Sequence, residues 1–417
     1  MSSSEENTLP EGWKMLKLSD VCDLFNGYAF KAKEYVEKSN TVIVRMGNIR
    51  PNGTFDIEHK IKYLPNKYSE ELTRYRLNDG DLILAMTDLA SEMRILGNPT
   101  LIKGSDGRNL MLNQRVGKLH KFNFNLITKE YLRFILTSKQ IKDYYKSLGG
   151  GGLQINIGKQ QILSVTIPIP PLEEQKRIVA KIDTLFAKID KAITLTETSL
   201  VQAKNLLPSV LKEVFEKGKA DGWEEKKLGE IAFLKSGSTP RRSNKSYWEA
   251  GTIPWLKSGE LNDSMEIKEN SEFITEIALD ETSVKLFTKD TLLIAMYGAT
   301  AGKLGILSID ATTNQAVCSI QNKKEMFNNH FMFYFLYSMR EKIISDSFGG
   351  AQPNISKTYL ENLSLYIPNL SAQEEVANLC DELSIKAKQT QSKLEEQLAY
   401  LKQLKSSILS KAFKGEL

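Results

Sequence analysis

The segment Ile169–Gln175, Ile-Pro-Pro-Leu-Glu-Glu-Gln, returns as Ile367–Gln373, Ile-Pro-Asn-Leu-Ser-Ala-Gln, near the other end of the 417-residue chain. Each copy opens a long helical pattern. A strand-rich region precedes each copy, and these regions repeat as well, since Leu82–Met86 returns as Leu292–Met296. A period of about two hundred residues indicates that a whole domain and its following helix were duplicated, because solenoid repeats have periods of roughly 20–50 residues.

Apolar or small residues recur every three or four positions in both helical patterns, which is the spacing of a coiled coil. We therefore expect the helices to pair antiparallel, with a globular unit at each end. The alternative is that each helix packs onto its own domain. Pro208 lies inside the first pattern and predicts a kink or local break, since proline lacks the amide N–H. The predicted seam between the helices consists of Ile178, Ile182, Leu185, Ile189, Leu200, Leu207, Val376, Leu383, Leu394, Leu401 and Ile408.

These patterns predict an α+β fold with a pseudo-two-fold internal repeat, in which two mixed, strand-rich domains are separated by two long antiparallel helices that form a coiled coil. Near the end of each domain we expect one amphipathic helix, around 130–148 and 330–348, followed by a Gly-rich loop. The predicted segments are a disordered tail (1–10), a first domain (11–171), a central long helix (172–219), a second domain (220–369) and a C-terminal long helix (370–417).

The composition, with 41% hydrophobic and 26% charged residues, is typical of a globular protein. The first ten residues lack the basic start and apolar core of a signal peptide. No apolar run approaches the roughly 18 residues that span a membrane. Cys22, Cys318 and Cys380 are odd in number and far apart, which favours reduced, structural thiols. We expect a cytoplasmic protein without membrane contact.

The charge is distributed unevenly between the two domains. Residues 11–171 contain 24 lysine and arginine residues against 16 acidic ones, whereas residues 220–369 contain 16 against 19. The first domain is therefore a plausible polyanion binder on charge alone. The second is one only if its basic residues are clustered.

Signals for catalysis are weak. None of the three histidines, His59, His120 and His330, has a partner at metal-ligand spacing. The segment Gly298–Leu304 resembles a phosphate-binding loop, but it is one residue short and has leucine where a magnesium-binding hydroxyl is needed. We expect no catalytic residue and no metal site. The alternative is a nuclease or methyltransferase with an unrecognised active site.

Several polar residues are suited to DNA contact. The segment Ser236–Lys245 concentrates basic residues in an otherwise acidic domain, and arginine can pair bidentately with guanine while hydroxyls and lysine hold phosphates. Arg45 and Lys257 occupy equivalent positions, and so, roughly, do Gln154 and Gln352 in the Gly-rich loops. For each of them the alternative is an ordinary solvated turn. The candidates for DNA contact are Arg45, Arg94, Arg108, Gln154, Thr239, Arg241, Arg242, Lys245, Lys257, Lys303 and Gln352.

The chain resembles the DNA-specificity (S) subunit of type I restriction–modification systems over nearly its whole length. No single motif is specific, but their order and their repetition are. In the first half, Asn26–Phe30 replaces the Gly-Ser-Thr-Pro loop of the second half. The motifs that carry the resemblance are Ile169–Gln175, Leu206–Leu211 with Phe215, Ser236–Pro240, Ile253–Leu256 and Asn314–Val317.

The resemblance implies a function without an active site in this chain. Each strand-rich domain would be a target-recognition domain that reads one half of a split, asymmetric site in double-stranded DNA. The helix pair would set the spacer and bind two methyltransferase (M) subunits, which recruit restriction (R) subunits. S-adenosylmethionine, ATP and Mg²⁺ would belong to those partners. The alternative is a coiled-coil adaptor that does not touch DNA.

Overall fold

The structure is a computed structural model that describes residues 9–51, 53–89, 93–148, 153–347 and 354–417. The chain divides into two compact units. The first unit runs up to Thr196 and includes Gln397–Leu417, and the second unit is Glu197–Glu396. Each unit therefore contains one strand-rich domain and a segment of both long helices.

The first unit is built from short strands and helices. Its strands are β1 (Lys14–Lys17), β2 (Asp23–Asn26), β3 (Thr41–Val44), β4 (Tyr63–Leu64), β5 (Arg76–Leu77), β6 (Leu82–Ala85), β7 (Thr87–Leu89), β8 (Pro99–Leu101), β9 (Asn109–Leu112), β10 (Val116–His120), β11 (Gln154–Asn156) and β12 (Thr166–Ile169). Its helices are α1 (Leu18–Val21), α2 (Lys67–Glu71), α3 (Lys129–Ile135), α4 (Lys139–Ser147), α5 (Lys159–Leu163) and the first part of α6 (Leu172–Ala220), with 3₁₀ turns at Ala32–Glu34, Met46–Asn48 and Thr73–Tyr75.

The second unit has the same kind of composition. Its strands are β13 (Glu224–Lys227), β14 (Ala232–Ser236), β15 (Ile253–Leu256), β16 (Ser264–Ile267), β17 (Glu272–Ile274), β18 (Leu292–Ala295), β19 (Leu304–Leu307), β20 (Thr312–Thr313), β21 (Val317–Asn322) and β22 (Ser364–Ile367). Its helices are α7 (Leu228–Ile231), α8 (Glu276–Glu281), α9 (Asn329–Ser338), α10 (Arg340–Asp346), α11 (Lys357–Glu361) and most of α12 (Leu370–Ala412), with 3₁₀ turns at Lys245–Tyr247, Ser258–Glu260 and Gly298–Thr300.

Strand order confirms the predicted duplication. The main sheet has the order β2-β10-β6-β8 in the first unit and β14-β21-β18-β19-β16 in the second. A second sheet has the order β4-β3-β9-β5 in the first unit and β17-β15-β20 in the second, and it contains one parallel pair in each unit, β3 with β9 and β15 with β20. The opening strand of each domain pairs antiparallel with its closing strand, β1 with β12 and β13 with β22. The α+β fold with an internal repeat is therefore as predicted.

The prediction of a single amphipathic helix near the end of each domain is wrong. Two helices are found instead, α3 and α4 in the first unit and α9 and α10 in the second. Ser138 interrupts the first pair because its backbone is extended, with φ −61° and ψ 150°. In the second pair, the stretch Phe331–Leu336 is buried on every side. A stretch that is apolar on every side belongs in the core and is not amphipathic.

The long helices α6 and α12 pack against each other. In the first unit, Asp190 pairs with Lys405, while Arg177 donates to the Leu417 carbonyl at 2.8 Å, so the helices run antiparallel there. In the second unit, Lys204 lies 3.7 Å from Glu395. Of the residues predicted for the seam, Ile178, Ile182, Ile189 and Ile408 are buried, and Leu185, Leu200, Leu207, Val376, Leu383, Leu394 and Leu401 are half-buried.

The helices also pack onto the domains, so the alternative arrangement holds in part. Ile178 and Ile182 belong to the core that contains α3 residues of the first unit. The prediction of a local break at Pro208 is wrong, because α6 is continuous through this residue. Pro208 is exposed. Water can therefore satisfy the carbonyl that loses its amide partner.

The glutamines of the repeated motif bind the start of each long helix to its domain. Gln175 accepts a hydrogen bond from the Thr128 amide at 2.9 Å and donates to the carbonyls of Leu126 at 2.7 Å and Pro170 at 2.9 Å. Both glutamines are buried. Gln373 repeats the pattern, accepting from the Asn328 amide at 2.8 Å and donating to the carbonyls of Met326 at 3.4 Å and Pro368 at 2.9 Å.

The three cysteines are free and buried, as expected of structural thiols. Burial raises the pKa of the Cys22, Cys318 and Cys380 thiols to about 12, so they stay protonated at neutral pH. Among the helices in the described part of the chain, none combines the length and apolar character that a bilayer crossing requires.

Candidate nucleic-acid interface

The first candidate surface is a turn between β9 and β10. The Asn113 side chain accepts from the Arg115 amide at 3.3 Å, and the Asn113 carbonyl accepts from the Val116 amide at 2.9 Å. This conformation leaves the side chains of Gln114 and Arg115 exposed. The segment after β2 closes on the turn, and it approaches so closely that a side chain at Gly27 would overlap the Asn113 carbonyl.

This turn forms one wall of a cleft of about 350 Å³. Arg45 lies in the cleft, where its guanidinium donates to the Lys60 carbonyl. Within the residues that the structure describes, neither Lys60 nor Arg115 has an acidic partner. The first cleft is therefore cationic and open to a ligand. Its lining residues are Phe30, Tyr35, Arg45, Met46, Gly47, His59, Lys60, Asn113, Gln114 and Arg115.

The second unit has a cleft along the loop that follows β14. The turn before β21 repeats the geometry, because the Asn314 side chain accepts from the Ala316 amide at 3.1 Å. The loop after β14 closes on it, and Gly237 allows the same close approach. Thr239 donates its hydroxyl hydrogen to the Gln315 side-chain oxygen, which fixes that amide. The cleft has a volume of about 550 Å³ and is lined by Ser238, Thr239, Pro240, Arg241, Ser243, Asn244, Tyr247, Thr282 and Ser283.

Two of the basic candidates in the second unit are neutralised by one acid. Glu272 receives the Arg242 guanidinium on one carboxylate oxygen and Lys257 Nζ on the other, the latter at 2.7 Å. The hydrogen bond from Arg242, and next the one from Lys257, hold the pKa of Glu272 below its usual value. Arg242 also stacks over Trp248, with 3.8 Å from its guanidinium carbon to the ring centroid. Arg241, by contrast, is exposed and has no acidic partner within the described ranges.

The other candidates lie outside both clefts. Arg108 pairs with Glu58 at 2.6 Å, Lys245 with Glu249 at 3.2 Å, and Lys303 donates to Asn262 at 3.3 Å. Arg94 is exposed, and so is Gln154 on β11. Gln352 lies outside the described residues. Of the predicted residues that the structure describes, Arg45, Thr239 and Arg241 line a cleft.

Sequence reasoning missed four residues that shape these surfaces: Lys60, Gln114 and Arg115 in the first unit and Glu272 in the second. A signal existed for one of them, because the Asn-Gln pair of the turn is part of the repeat. Lys60 and Glu272 reach their sites through strand pairing between distant segments, which no local pattern reveals.

Features that could support catalysis are weak in the structure as well. In the described part of the chain, no group of three or more His, Cys, Asp or Glu side chains is arranged to hold a metal ion. The segment that resembles a phosphate-binding loop forms a 3₁₀ turn and then enters strand β19. A phosphate-binding loop instead leads into the N-terminus of a helix.

The sequence matches the family model of the type I restriction modification DNA specificity domain twice, over residues 10–198 and 220–400. The chain therefore belongs to the type I restriction–modification DNA-specificity family. Its similar proteins include the StySPI specificity subunit of Salmonella potsdam, 24% identical over 98% of this chain and 90% of the relative. The MjaIX specificity subunit of Methanocaldococcus jannaschii is 25% identical over 70% of this chain and 69% of the relative.

Two solved structures share the fold. The HsdS subunit from Thermoanaerobacter tengcongensis aligns over all of both chains, with a TM-score of 0.64 and 21% identity. A chain from a structure on complex assembly and conformational transition of the type I R-M system aligns over 98% of this chain and 100% of its own, with a TM-score of 0.77 and 22% identity. Family membership places this chain with the recognition subunits, and not with an enzyme whose active site escaped notice.

Proposed function

We propose that this chain reads a bipartite, asymmetric DNA site, with one half-site at each cleft. The observation that carries the proposal is a repeated contact between an Asn-Gln turn and a loop, which lies beside a cleft in each unit and carries different side chains. Gln114 and Arg115 line the first cleft, Thr239 and Arg241 line the second, and Gln315 is hydrogen-bonded to Thr239. Arginine pairs bidentately with guanine and glutamine with adenine in the major groove. Different side chains on a shared frame favour half-sites of different sequence.

The long helices are proposed to set the spacer between the half-sites and to carry two M subunits, which in turn recruit R subunits. Apolar side chains that remain exposed on these helices support a protein-binding role, since exposed apolar surface often marks a contact site. S-adenosylmethionine, ATP and Mg²⁺ are proposed to bind the partner subunits. The exposed apolar residues are Leu195, Val201, Leu206, Leu370, Leu379, Ile385 and Tyr400.

Replacing Arg115 by alanine is expected to weaken recognition of one half-site only. If Arg115 pairs with a guanine, its loss costs about 1–3 kcal/mol and relaxes the preference at that base pair. The measurement is binding of the complex with M subunits to DNAs that carry single base-pair changes in either half. Arg241→Ala is expected to relax the other half in the same assay.

Lys103→Ala is the matched control, because Lys103 is exposed outside the clefts and its loss removes the same charge. An equal loss of affinity for every sequence would identify Arg115 as a phosphate contact and reject its role in base reading.

The isolated chain is expected to bind DNA weakly, in the range of about 10⁻⁴–10⁻⁶ M that is usual for non-specific binding at physiological salt. Residues 220–369 contain more acidic than basic residues, and Glu272 neutralises two of the cations. M subunits should supply much of the missing phosphate neutralisation. Fluorescence anisotropy with and without co-purified M subunits measures this. Nanomolar, site-specific binding by the chain alone contradicts the prediction, and no binding in either case favours an adaptor that does not touch DNA.

A further inference from the structure

Glu272 is placed to control two cations at the edge of the second unit. Its side chain is 27% exposed, while those of Arg242 and Lys257 are 51% and 42% exposed. Both cations therefore face solvent and could reach a phosphate, yet each is bonded to a separate oxygen of the same carboxylate. Trp248 and Trp255 lie 3.8 and 4.8 Å from the guanidinium carbon and limit where Arg242 can move.

The first unit carries the opposite charge at the corresponding strand position. In the second unit, Trp255 on β15 is directly opposite Glu272 on β17, and Lys257 follows two residues later. In the first unit, Ile43 on β3 donates its amide hydrogen to the carbonyl of Lys62 at 3.1 Å, and Arg45 follows two residues later. Lys62 is exposed. The first unit thus has Lys62 at the strand position where the second unit has Glu272.

We propose that Glu272 is a specificity-determining residue, an internal counter-charge that keeps Arg242 and Lys257 from binding the phosphates of non-cognate DNA. The inference rests on the proposed reading of a half-site by the second unit. Lysine and arginine contacts to phosphate supply essentially all non-specific affinity. Because Glu272 competes for both cations, a DNA without the correct bases gains little from them. The lowered pKa of Glu272 agrees with a carboxylate that stays charged in this role.

The test is Glu272→Gln in the full chain assembled with M subunits. Binding is measured over a range of salt concentrations, on cognate DNA and on DNA whose second half-site is scrambled. We expect affinity for the scrambled DNA to rise about tenfold and the slope of log K against log salt to steepen by about one to two units, since each phosphate contact contributes about 0.9. Affinity for the cognate site should change by less than about threefold, and Glu272→Asp should behave as the wild type.

Glu249→Gln is the matched control. It removes the same formal charge from the same region, but Lys245 and Glu249 are 82% and 68% exposed, so this pair already exchanges with solvent. Lys62→Glu is a second test that does not depend on whether the Glu272 variant folds. It alters an exposed position and adds the counter-charge to the first unit. It should lower affinity for non-cognate DNA and flatten the salt slope by about one unit.

Two failures can be told apart. If the wild-type complex shows no preference for any sequence, the proposed function is wrong. If the wild type discriminates but Glu272→Gln gives the same salt slope and the same non-cognate affinity as Glu249→Gln, the role of Glu272 is wrong and the proposed function stands.

Discussion

Gln175→Leu is expected to destabilise the first unit by about 3 kcal/mol or more. The substitution leaves the Thr128 amide and the carbonyls of Leu126 and Pro170 without their partner, and each orphaned buried group costs about 1–3 kcal/mol. Such a loss is a large part of the roughly 5–15 kcal/mol that stabilises a typical domain. Gln373→Leu is expected to have a comparable effect on the second unit.

Hydrogen exchange resolved by segment is the suitable measurement, because a chain of two units need not unfold in one step. Gln202→Leu is the matched control, since Gln202 is exposed on the same helix and surface changes are usually within about 0.5 kcal/mol. Wild-type protection of β12 and α3 in the Gln175 variant would show that these hydrogen bonds do not hold the helix to its domain.

Replacing Gln175 by glutamate adds a pH-dependent test. Burial beside two carbonyl oxygens should raise the pKa of the introduced carboxyl in the folded protein above its unfolded value of about 4.3. A group whose pKa is raised on folding stabilises most below its unfolded pKa, and this contribution is lost as pH rises through the folded pKa. The free energy of unfolding of the variant should therefore be closest to that of the wild type at acidic pH, and it should decrease relative to the wild type toward pH 7.

The features predicted correctly from the sequence are those written in local or repeated patterns. The long helices and the strand Leu82–Ala85 follow from the pattern of apolar residues alone, and the duplication supports each assignment twice. The pair α3 and α4 was predicted as one helix because the apolar period continues across Ser138. Ser138 has an extended backbone and precedes the first residue of α4. A single serine is too weak a signal in the sequence to outweigh the continuing apolar period.

The ion pairs of the basic candidates were not predicted, because the sequence shows charged residues without their tertiary partners. Arg242 and Lys257 were chosen as DNA contacts from residue type and position. Glu272 is separated from them by intervening chain, and only the pairing of β17 with β15 brings it between them. Arg115, in contrast, is exposed on a turn whose geometry depends on the Asn113 side chain. Tertiary structure therefore decides which basic residues remain available to a ligand.

A four-residue insertion in both long helices is expected to lengthen the spacer of the recognised site by about one to two base pairs. Four residues add about 6 Å of helix, and one base pair occupies about 3.4 Å. The insertions belong where each helix passes from one compact unit to the other, after Thr196 and after Glu396. Four residues turn a helix by roughly 40° beyond a full rotation, so the seam stays close to its phase.

The measurement is single-molecule sequencing of modified adenines in cells that express the complete system. Both half-site sequences should be retained while the number of unspecified base pairs between them grows, because the clefts are unchanged. The same insertion in α6 alone serves as the control, since it puts the two helices out of step and should reduce modification without creating a longer site. Modification of the original site by the double insertion would reject the helix pair as the element that sets the spacer.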